Sequence, residues 1–232
     1  MDATERARQV FAAAVAGPPT ELRLDVAAFC IAAHAHAGLD VAAWCARIDE
    51  LAAACDDATF DGLRTFLFER ERFTGNTADY GDPENSFLDS VMTRRTGIPI
   101  TLSVLMMEVG RRIGVEVAGV GMPGHFIVQD GTHGGAWCDP FHGGARLDLD
   151  GCRRLFARLH GSARDFHLAY LAPTPAHDIV ARMLANLEHG RLAGDPLQLA
   201  WLCALHLELP ALPEAERSRL LALRRTADAH WN

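Results

Sequence analysis

Two short stretches of the sequence bring together residue types that serve in hydrolytic catalysis. GMPGHFIVQD (121–130) contains His125, and WCDPFHGG (137–144) contains Cys138 and Asp139. A histidine that accepts a proton, a carboxylate that orients it and a thiol that attacks are the three parts of a cysteine-hydrolase site. The question is whether these three residues form such a site or only resemble its parts.

The spacing of the two stretches predicts that His125 and Asp139 lie side by side. If HFIVQ and GAWCD pair as antiparallel strands around a loop of residues 130–134, His125 stands directly opposite Asp139. Directly opposed residues share a face of the sheet, with Cβ atoms about 5 Å apart. A carboxylate at that distance fixes the tautomer of the imidazole and supports its positive charge. Strand alternation turns Cys138 to the other face, so we expect it in the core and not as the nucleophile.

The elements that must position these residues predict an α+β fold. Up to residue 73, apolar residues recur at helical spacing among many alanines, which indicates a helical N-terminal region (1–73). In the core region (74–172), TLSVLMMEVGRRIG has one apolar stripe and predicts a helix that ends at Gly114, and VEVAGV, HFIVQD and AWCDP predict a small antiparallel meander. The tail (173–232) is typical of a helical hairpin around a GDP turn, of tetratricopeptide size, followed by a last helix.

Composition narrows the class of protein. The chain has 232 residues and a formal net charge of −8, which argues against non-specific binding to nucleic acid or to an anionic membrane. All basic side chains are arginine, so a Schiff-base lysine and a P-loop lysine are excluded. The sequence contains no apolar run of membrane-spanning length and no signal-peptide pattern, and we expect a cytoplasmic protein. The six cysteines lack CxxC spacing, and we expect no disulfide framework, no metal and no cofactor.

A long segment of the chain resembles the SirB1 family, which has a transglutaminase-like core and a tetratricopeptide-type tail. The resemblance rests on FTGNTADYGDPENSFLDSVMTRRTGIPITLSVLMMEVGRRIGVEVAGVGMPGHFIV and on DPFHGG; it covers residues 70–205 and is most specific from Asn85 to Gly144. It implies a papain-like core in which a cysteine begins a helix and a histidine and an aspartate follow on successive strands. His125 and Asp139 match that histidine and aspartate.

The sequence departs from this pattern at the nucleophile. Counted back along the helix from Gly114, the cysteine of the related fold would fall at residues 99–101, which here read Pro-Ile-Thr. Thr101 is the only hydroxyl in that window, and Ser103 lies two residues further on. At a helix N-terminus Thr101 would attack only with the help of a well-placed base, and it serves equally well as an N-terminal cap. The chain is therefore a candidate pseudoenzyme.

Further polar or flexible positions have both a functional and a structural interpretation. The residues assigned to a substrate or partner cleft are Asn85, Ser86, Arg95, Glu108 and Gly124. Asn85 and Ser86 would face the histidine or cap the helix that follows them. Glu108 would line the pocket or hold an arginine, such as Arg94, Arg95 or Arg112, in a structural pair. Gly124 would allow a substrate backbone to approach closely, or it would serve only a tight turn.

A second histidine raises the question of a metal. His142 follows Cys138 by four residues, and we interpret it as a lone surface histidine. Together with His125 and Asp139 it offers three ligands, but their spacing matches no zinc signature, and a metal site is the minor alternative.

Two functions from different classes remain open. The first is binding of a peptide or protein partner by a transglutaminase-like scaffold that has lost its thiol, with help from the tail. The second is a hydrolase or acyltransferase on amide bonds, with His125 as base, Asp139 as its orienter and Thr101 or a water as the attacking group. A regulator that binds DNA directly is disfavoured, because the sequence contains no basic stripe and no recognition-helix motif. The sequence assigns neither the substrate nor the oligomeric state.

Overall fold

A computed structural model describes residues 3–190 and 195–229 of the chain. Helices and short strands alternate within these ranges, which confirms the predicted α+β class. The helices are α1 (Ala3–Val15), α2 (Leu24–Ala35), α3 (Val41–Ala53), α4 (Phe60–Thr65), α5 (Leu88–Arg94), α6 (Pro99–Ile113), α7 (Leu149–His160), α8 (Ala176–Glu188), α9 (Pro196–His206) and α10 (Glu214–Ala229). The strands are β1 (Thr74–Gly75), β2 (Thr96–Gly97), β3 (Val117–Val120), β4 (Ile127–Asp130), β5 (Trp137–Asp139) and β6 (Ala145–Leu147).

Helix α2 lies at the centre of the molecule. All residues from Ala27 to Ala32 are buried, and the helix contacts α1, α3, α5, α6, α8 and α9. A helix surrounded on all sides needs apolar residues on all its faces, which explains the alanine-rich sequence of this segment. The main hydrophobic core runs without interruption from Phe11 in α1 to Leu209 after α9. The regions 1–73, 74–172 and 173–232 therefore share one core.

The four strands β3, β4, β5 and β6 form the predicted antiparallel meander, with β6 as an addition at its edge. The pair Val128 and Cys138 faces the main core, and residues Ile127 and Trp137 face a second, smaller core against α7. Alternation along the strand therefore directs Cys138 away from its neighbour Asp139, as predicted.

The predicted register of this hairpin is wrong by two residues. Val128 pairs with Cys138 and Gln129 with Trp137, so Asp139 falls opposite Ile127 and not opposite His125. The cause is the loop, because the backbone N–H of Asp130 donates to the carbonyl of Ala136 at 3.0 Å and the loop becomes 131–135. A shift of two residues leaves every side chain on the face where it was, since the side-chain period of a strand is two.

The glycine-rich and aspartate-rich segment that begins at residue 74 contains more order than its composition indicates. Strands β1 and β2 pair in parallel, with Thr74 beside Thr96 and Gly75 beside Gly97. A short 3-10 turn, Pro83–Ser86, follows before α5. The pairing fixes both ends of residues 76–95, and this segment lies against the N-terminus of α6 as a result.

Helices α8, α9 and α10 form the tail, and a buried ion-pair network joins them. The carboxylate of Glu188 accepts hydrogen bonds from His206 at 2.7 Å and from Arg219 at 2.8 Å. These hydrogen bonds overcome the effect of burial and hold the pKa of Glu188 below its usual range. Within the described ranges, no helix combines the length and the apolar character needed to span a membrane.

Candidate functional site

His125 and Asp139 lie in direct contact at one end of the sheet. His125 is in the turn before β4, Asp139 is the last residue of β5, and Nε2 of the imidazole lies 3.0 Å from each carboxylate oxygen. Both side chains are buried, with 6% and 1% of the residue exposed. A carboxylate only accepts hydrogen bonds, so a neutral His125 carries its proton on Nε2. Its Nδ1 is then the basic nitrogen.

The carboxylate of Asp139 is held by backbone groups of the turn that follows it as well as by histidine side chains. It caps the 3-10 turn Pro140–His142, and its Oδ1 accepts hydrogen bonds from the backbone N–H groups of Phe141 at 3.1 Å and His142 at 3.4 Å. Burial opposes ionisation, but the hydrogen bonds and charges of His125 and His142 keep the pKa of the carboxyl below its usual range. The site therefore contains a buried carboxylate that is charged at neutral pH.

His142, which the sequence analysis named only as a surface histidine and a minor metal-ligand candidate, belongs to the site. Its Nδ1 lies 2.7 Å from Oδ2 of Asp139, while 51% of its side chain is exposed. It is a surface histidine, as predicted, but it is not a lone one. The Asp-Pro turn could have predicted this contact. In such a turn the third residue after the aspartate lies beside the aspartate carboxylate. Asp130 and His133 show the same spacing and form the same kind of contact, at 3.1 Å.

The N-terminus of α6, where the related fold keeps its cysteine, offers no hydroxyl to His125. Thr101 is fully buried, and its Oγ1 lies 2.7 Å from the carbonyl of Asn85 and 3.1 Å from that of Ile98. Ser103 donates its hydroxyl to the carbonyl of Pro99 at 2.8 Å. The helix is capped by Ile98 without a side-chain hydrogen bond, so the interpretation of Thr101 as the N-cap is wrong. The hydroxyl instead fixes the preceding segment to the helix.

Cys138 has the surroundings of a structural residue. It lies fully buried in the main core, and burial raises the pKa of its thiol. The reactive form of a cysteine is the thiolate, which this environment disfavours. In the part of the chain that the structure describes, no cysteine sulfur forms a hydrogen bond with His125.

Asn85 organises the segment in front of α6. It is fully buried, its amide nitrogen donates to the carbonyls of Asp79 at 2.8 Å and Tyr80 at 3.3 Å, and its amide oxygen accepts from Asn76 at 2.9 Å. Helix α5 is capped by Phe87, so the alternative in which Asn85 or Ser86 caps that helix is wrong. Asn85 is a positioning residue for this segment.

Arg95 and Glu108 lie in ion pairs that the structure does not bring together with His125. Arg95 ends α5 in a left-handed conformation and contacts Glu71 at 2.7 Å. Glu108 accepts hydrogen bonds from the N-terminal N–H of α2, at Leu24, and from Arg112 at 2.8 Å. Of the two interpretations of Glu108, the contacts support the structural pair with an arginine.

Gly124 serves a tight turn. The backbone N–H of His125 donates to the carbonyl of Met122 at 3.0 Å, and Gly124 has a φ of 73° at the third position of this turn. A positive φ at that position is typical of a type II turn and favours glycine. Arg182 of α8, which the sequence interpretation missed, donates to the carbonyl of His125 at 2.7 Å and holds this turn from the tail side.

A cleft of about 410 Å³ has Tyr80 in its lining, and none of His125, Asp139 and His142 lines it. One wall is the segment from Tyr80 to Ser86, the other is the C-terminal end of α8, and Ile98 at the start of α6 contributes to its lining. Tyr80 is 56% exposed, its ring centroid lies 5.6 Å from that of Phe141, and the ring of Phe141 lies 6.1 Å from that of His125. Tyr80 and Phe141 therefore connect the cleft with the His125 end of the sheet.

Comparison with known proteins finds one family. A model described as the transglutaminase-like superfamily matches residues 34–185. A UPF0162 protein of Xylella fastidiosa (strain Temecula1) is 39% identical over 166 residues, which cover 69% of this chain and 59% of that protein. A UPF0162 protein of Pseudomonas aeruginosa is 35% identical over 118 residues, which cover 50% of this chain and 42% of that protein.

A more distant similarity reaches a eukaryotic protein. F-box only protein 21 of Mus musculus is 37% identical over 89 residues, which cover 38% of this chain and 13% of that protein. The match to the Xylella fastidiosa protein spans about three fifths of that protein's length. No solved structure matches the chain at a significant level.

Proposed function

Because its residues 34–185 match the family model, the chain belongs to the transglutaminase-like superfamily, and we propose that it binds a peptide or protein segment without thiol chemistry. The bound segment would lie in the cleft between Tyr80 and α8 and reach His125. The observation that carries the proposal is the contact between His125 and Asp139 without a nucleophile. Among the residues that the structure describes, no thiol or hydroxyl forms a hydrogen bond with the imidazole of His125.

The cleft has the properties of a recognition site. It combines an exposed aromatic ring, Tyr80, with apolar lining from Ile98 and Leu187 and with backbone groups of two glycines. Tyrosine supplies a large contact area with little loss of conformational entropy, and it is enriched among the residues that dominate binding energy. The wall formed by α8 gives the tail a direct part in binding, which supports the earlier hypothesis that the tail assists the core.

We expect that replacing Tyr80 with alanine weakens peptide binding at least tenfold, which corresponds to about 1.4 kcal/mol. The probe is a set of peptides selected on the wild-type protein from a random-peptide display library, with binding measured by fluorescence polarisation. The matched control is Leu168→Ala, since Leu168 is an equally exposed apolar residue, at 62%, outside the cleft. If no peptide is selected, or if both variants bind like the wild type, the proposal fails.

Amide hydrolysis is the second candidate function, and the orientation of His125 favours it. Asp139 fixes the proton on Nε2, which leaves Nδ1 free to take a proton from a water molecule. The water oxygen would add to the amide carbon, the C–N bond would break, and the proton would pass from the imidazole to the leaving nitrogen. The charged Asp139 would stabilise the positive imidazole during this step.

We expect His125→Ala to lower the rate of any peptide hydrolysis by about 10²–10⁴, the usual contribution of a general base. The substrates are the selected peptides, and cleavage is followed by mass spectrometry. Thr101→Val is the control, because it removes the only hydroxyl of the 99–101 window and keeps the side-chain shape. Equal rates for the wild type and His125→Ala would exclude this mechanism, and Thr101→Val should hydrolyse like the wild type because its buried hydroxyl contacts the carbonyls of Asn85 and Ile98 and not His125.

We also propose the finer assignment to the SirB1 type with a tetratricopeptide-like tail. It is supported by the sequence motifs from Asn85 to Gly144 and by the contact between α8 and α9. The hairpin is a single helical pair with one further helix against it.

A further inference from the structure

We propose that His125, Asp139 and His142 form a binding site for one divalent transition-metal ion, with Zn²⁺ as the preferred ion. The three residues offer two imidazole nitrogens and one carboxylate oxygen, a ligand set that suits Zn²⁺ and its neighbours in the first transition row. The inference does not depend on peptide binding, and it is an alternative to hydrolysis with His125 as base, because a metal ion on Nε2 leaves the ring proton on Nδ1.

The distances between the ligand atoms carry the proposal. Nε2 of His125, a carboxylate oxygen of Asp139 and Nδ1 of His142 all lie within 4.8 Å of one another. Oδ2 of Asp139 is 3.0 Å from the first nitrogen and 2.7 Å from the second. Around a tetrahedral Zn²⁺ with bonds of about 2.0–2.1 Å, neighbouring ligand atoms are about 3.3 Å apart. To admit the ion, Oδ2 would have to move away from the His142 nitrogen by about 0.6 Å and from the His125 nitrogen by about 0.3 Å.

The charge of the site also favours a cation. In the described part of the chain, Asp139 forms ion pairs with two imidazoles and with no arginine. A second group with similar ligand spacing, Glu188, His206 and Glu216, differs in this respect, because Arg219 contacts both glutamates at 2.8 Å and 2.6 Å. The guanidinium already supplies the positive charge there, whereas a metal ion would supply it at Asp139.

The carboxylate of Asp139 is held in place by its neighbours, and an ion can reach the site from solvent. Oδ1 of Asp139 accepts the backbone hydrogen bonds of the 3-10 turn, which orients the carboxylate so that Oδ2 lies near the nitrogens of both imidazoles while Oδ1 also lies 3.0 Å from His125. His142 has half of its side chain in solvent, so an ion can reach the site. Binding requires the tautomer in which each neutral imidazole carries its proton on the nitrogen that does not contact the ion. Three protein ligands leave a fourth position for water, which is the arrangement of open zinc sites.

The test is metal titration of the untagged full chain after treatment with EDTA. We expect calorimetry to give one Zn²⁺ per chain, and Co²⁺ to give the visible absorption of a tetrahedral site. His142→Ala is expected to weaken Zn²⁺ binding at least tenfold and to abolish the Co²⁺ band, with folding checked by circular dichroism. His133→Ala is the matched control, because its contact with Asp130 has the same spacing but no second histidine joins it.

The proposal would be overturned by the absence of Zn²⁺ binding at micromolar concentration, or by equal binding by the wild type and His142→Ala. Weaker binding in Glu216→Gln, with His142→Ala unchanged, would assign the ion to the tail and would equally overturn it. Peptide binding is measured in EDTA, so its failure and the failure of metal binding are separate results.

Discussion

Replacing Arg112 with alanine is expected to lower the free energy of unfolding by about 3–5 kcal/mol, the range for removing one partner of a buried ion pair. The guanidinium joins α6 to α2, because it contacts Asp25 at 2.5 Å and Glu108 at 2.8 Å. Asp25 is fully buried and Glu108 is 3% exposed. Burial raises the pKa of Asp25, but Arg23 and Arg112 together hold it below its usual range. Without Arg112, two neighbouring carboxylates lose their shared cation.

Urea denaturation at neutral pH measures this effect, and Arg111→Ala is the matched control. Arg111 is the adjacent residue on the same helix and contacts the same Glu108 at 2.9 Å, but 46% of its side chain is exposed. An exposed ion pair contributes about 0–1 kcal/mol, so the control should unfold nearly like the wild type. Equal losses in the two variants would show that burial of the network does not decide its contribution.

Asp139→Asn is expected to cost about 2–3 kcal/mol at neutral pH, since the hydrogen bonds of a charged acceptor are stronger than those of an amide. The effect should depend on pH. Because folding lowers the pKa of Asp139, its contribution is fully present above the ordinary carboxyl pKa of about 3.9. It is lost as the pH falls through the lower value of the folded protein. The difference between wild type and variant should therefore narrow in acid.

Urea midpoints of both proteins between pH 7 and pH 3, in buffer with EDTA, test this expectation. Asp56→Asn is the control, because 74% of that side chain is exposed beside Arg70 and it should show little difference at any pH. A difference for Asp139→Asn that stays constant into acid would mean that the charge of the carboxylate does not stabilise the fold.

Local sequence patterns predicted helix boundaries and one contact of the site. Pro99 and Gly114 bound α6 where proline and glycine are expected, but the prediction of one buried stripe is too narrow, because every residue from Pro99 to Gly110 except Met107 is buried. The contact between His125 and Asp139 was anticipated even though the register was wrong by two residues. The reason is that only an odd shift moves a side chain to the other face of a sheet.

Contacts between segments that are far apart in the sequence could not be predicted from these local patterns. The burial of Thr101 depends on a segment sixteen residues earlier, where the carbonyl of Asn85 accepts its hydroxyl. The position of His125 depends on Arg182, which lies fifty-seven residues later in the tail. Neither partner has a sequence pattern that identifies it, because threonine at a helix start and arginine on a helix surface have many common roles. His142 was within reach of a local rule, the Asp-Pro turn.

The continuous core limits how the tail can be studied. The buried apolar residues of α8 are part of the same core as α1, α2 and α6: Ile179, Val180, Met183, Leu184 and Leu187. A chain that stops at residue 172 would leave the corresponding surface of α2 in water, an aggregation hazard of the kind that large exposed apolar patches create. A deletion would therefore report on solubility before it reported on recognition. Point substitutions on the outer face of α8, and hydrogen exchange in the intact chain, are the informative way to separate the two.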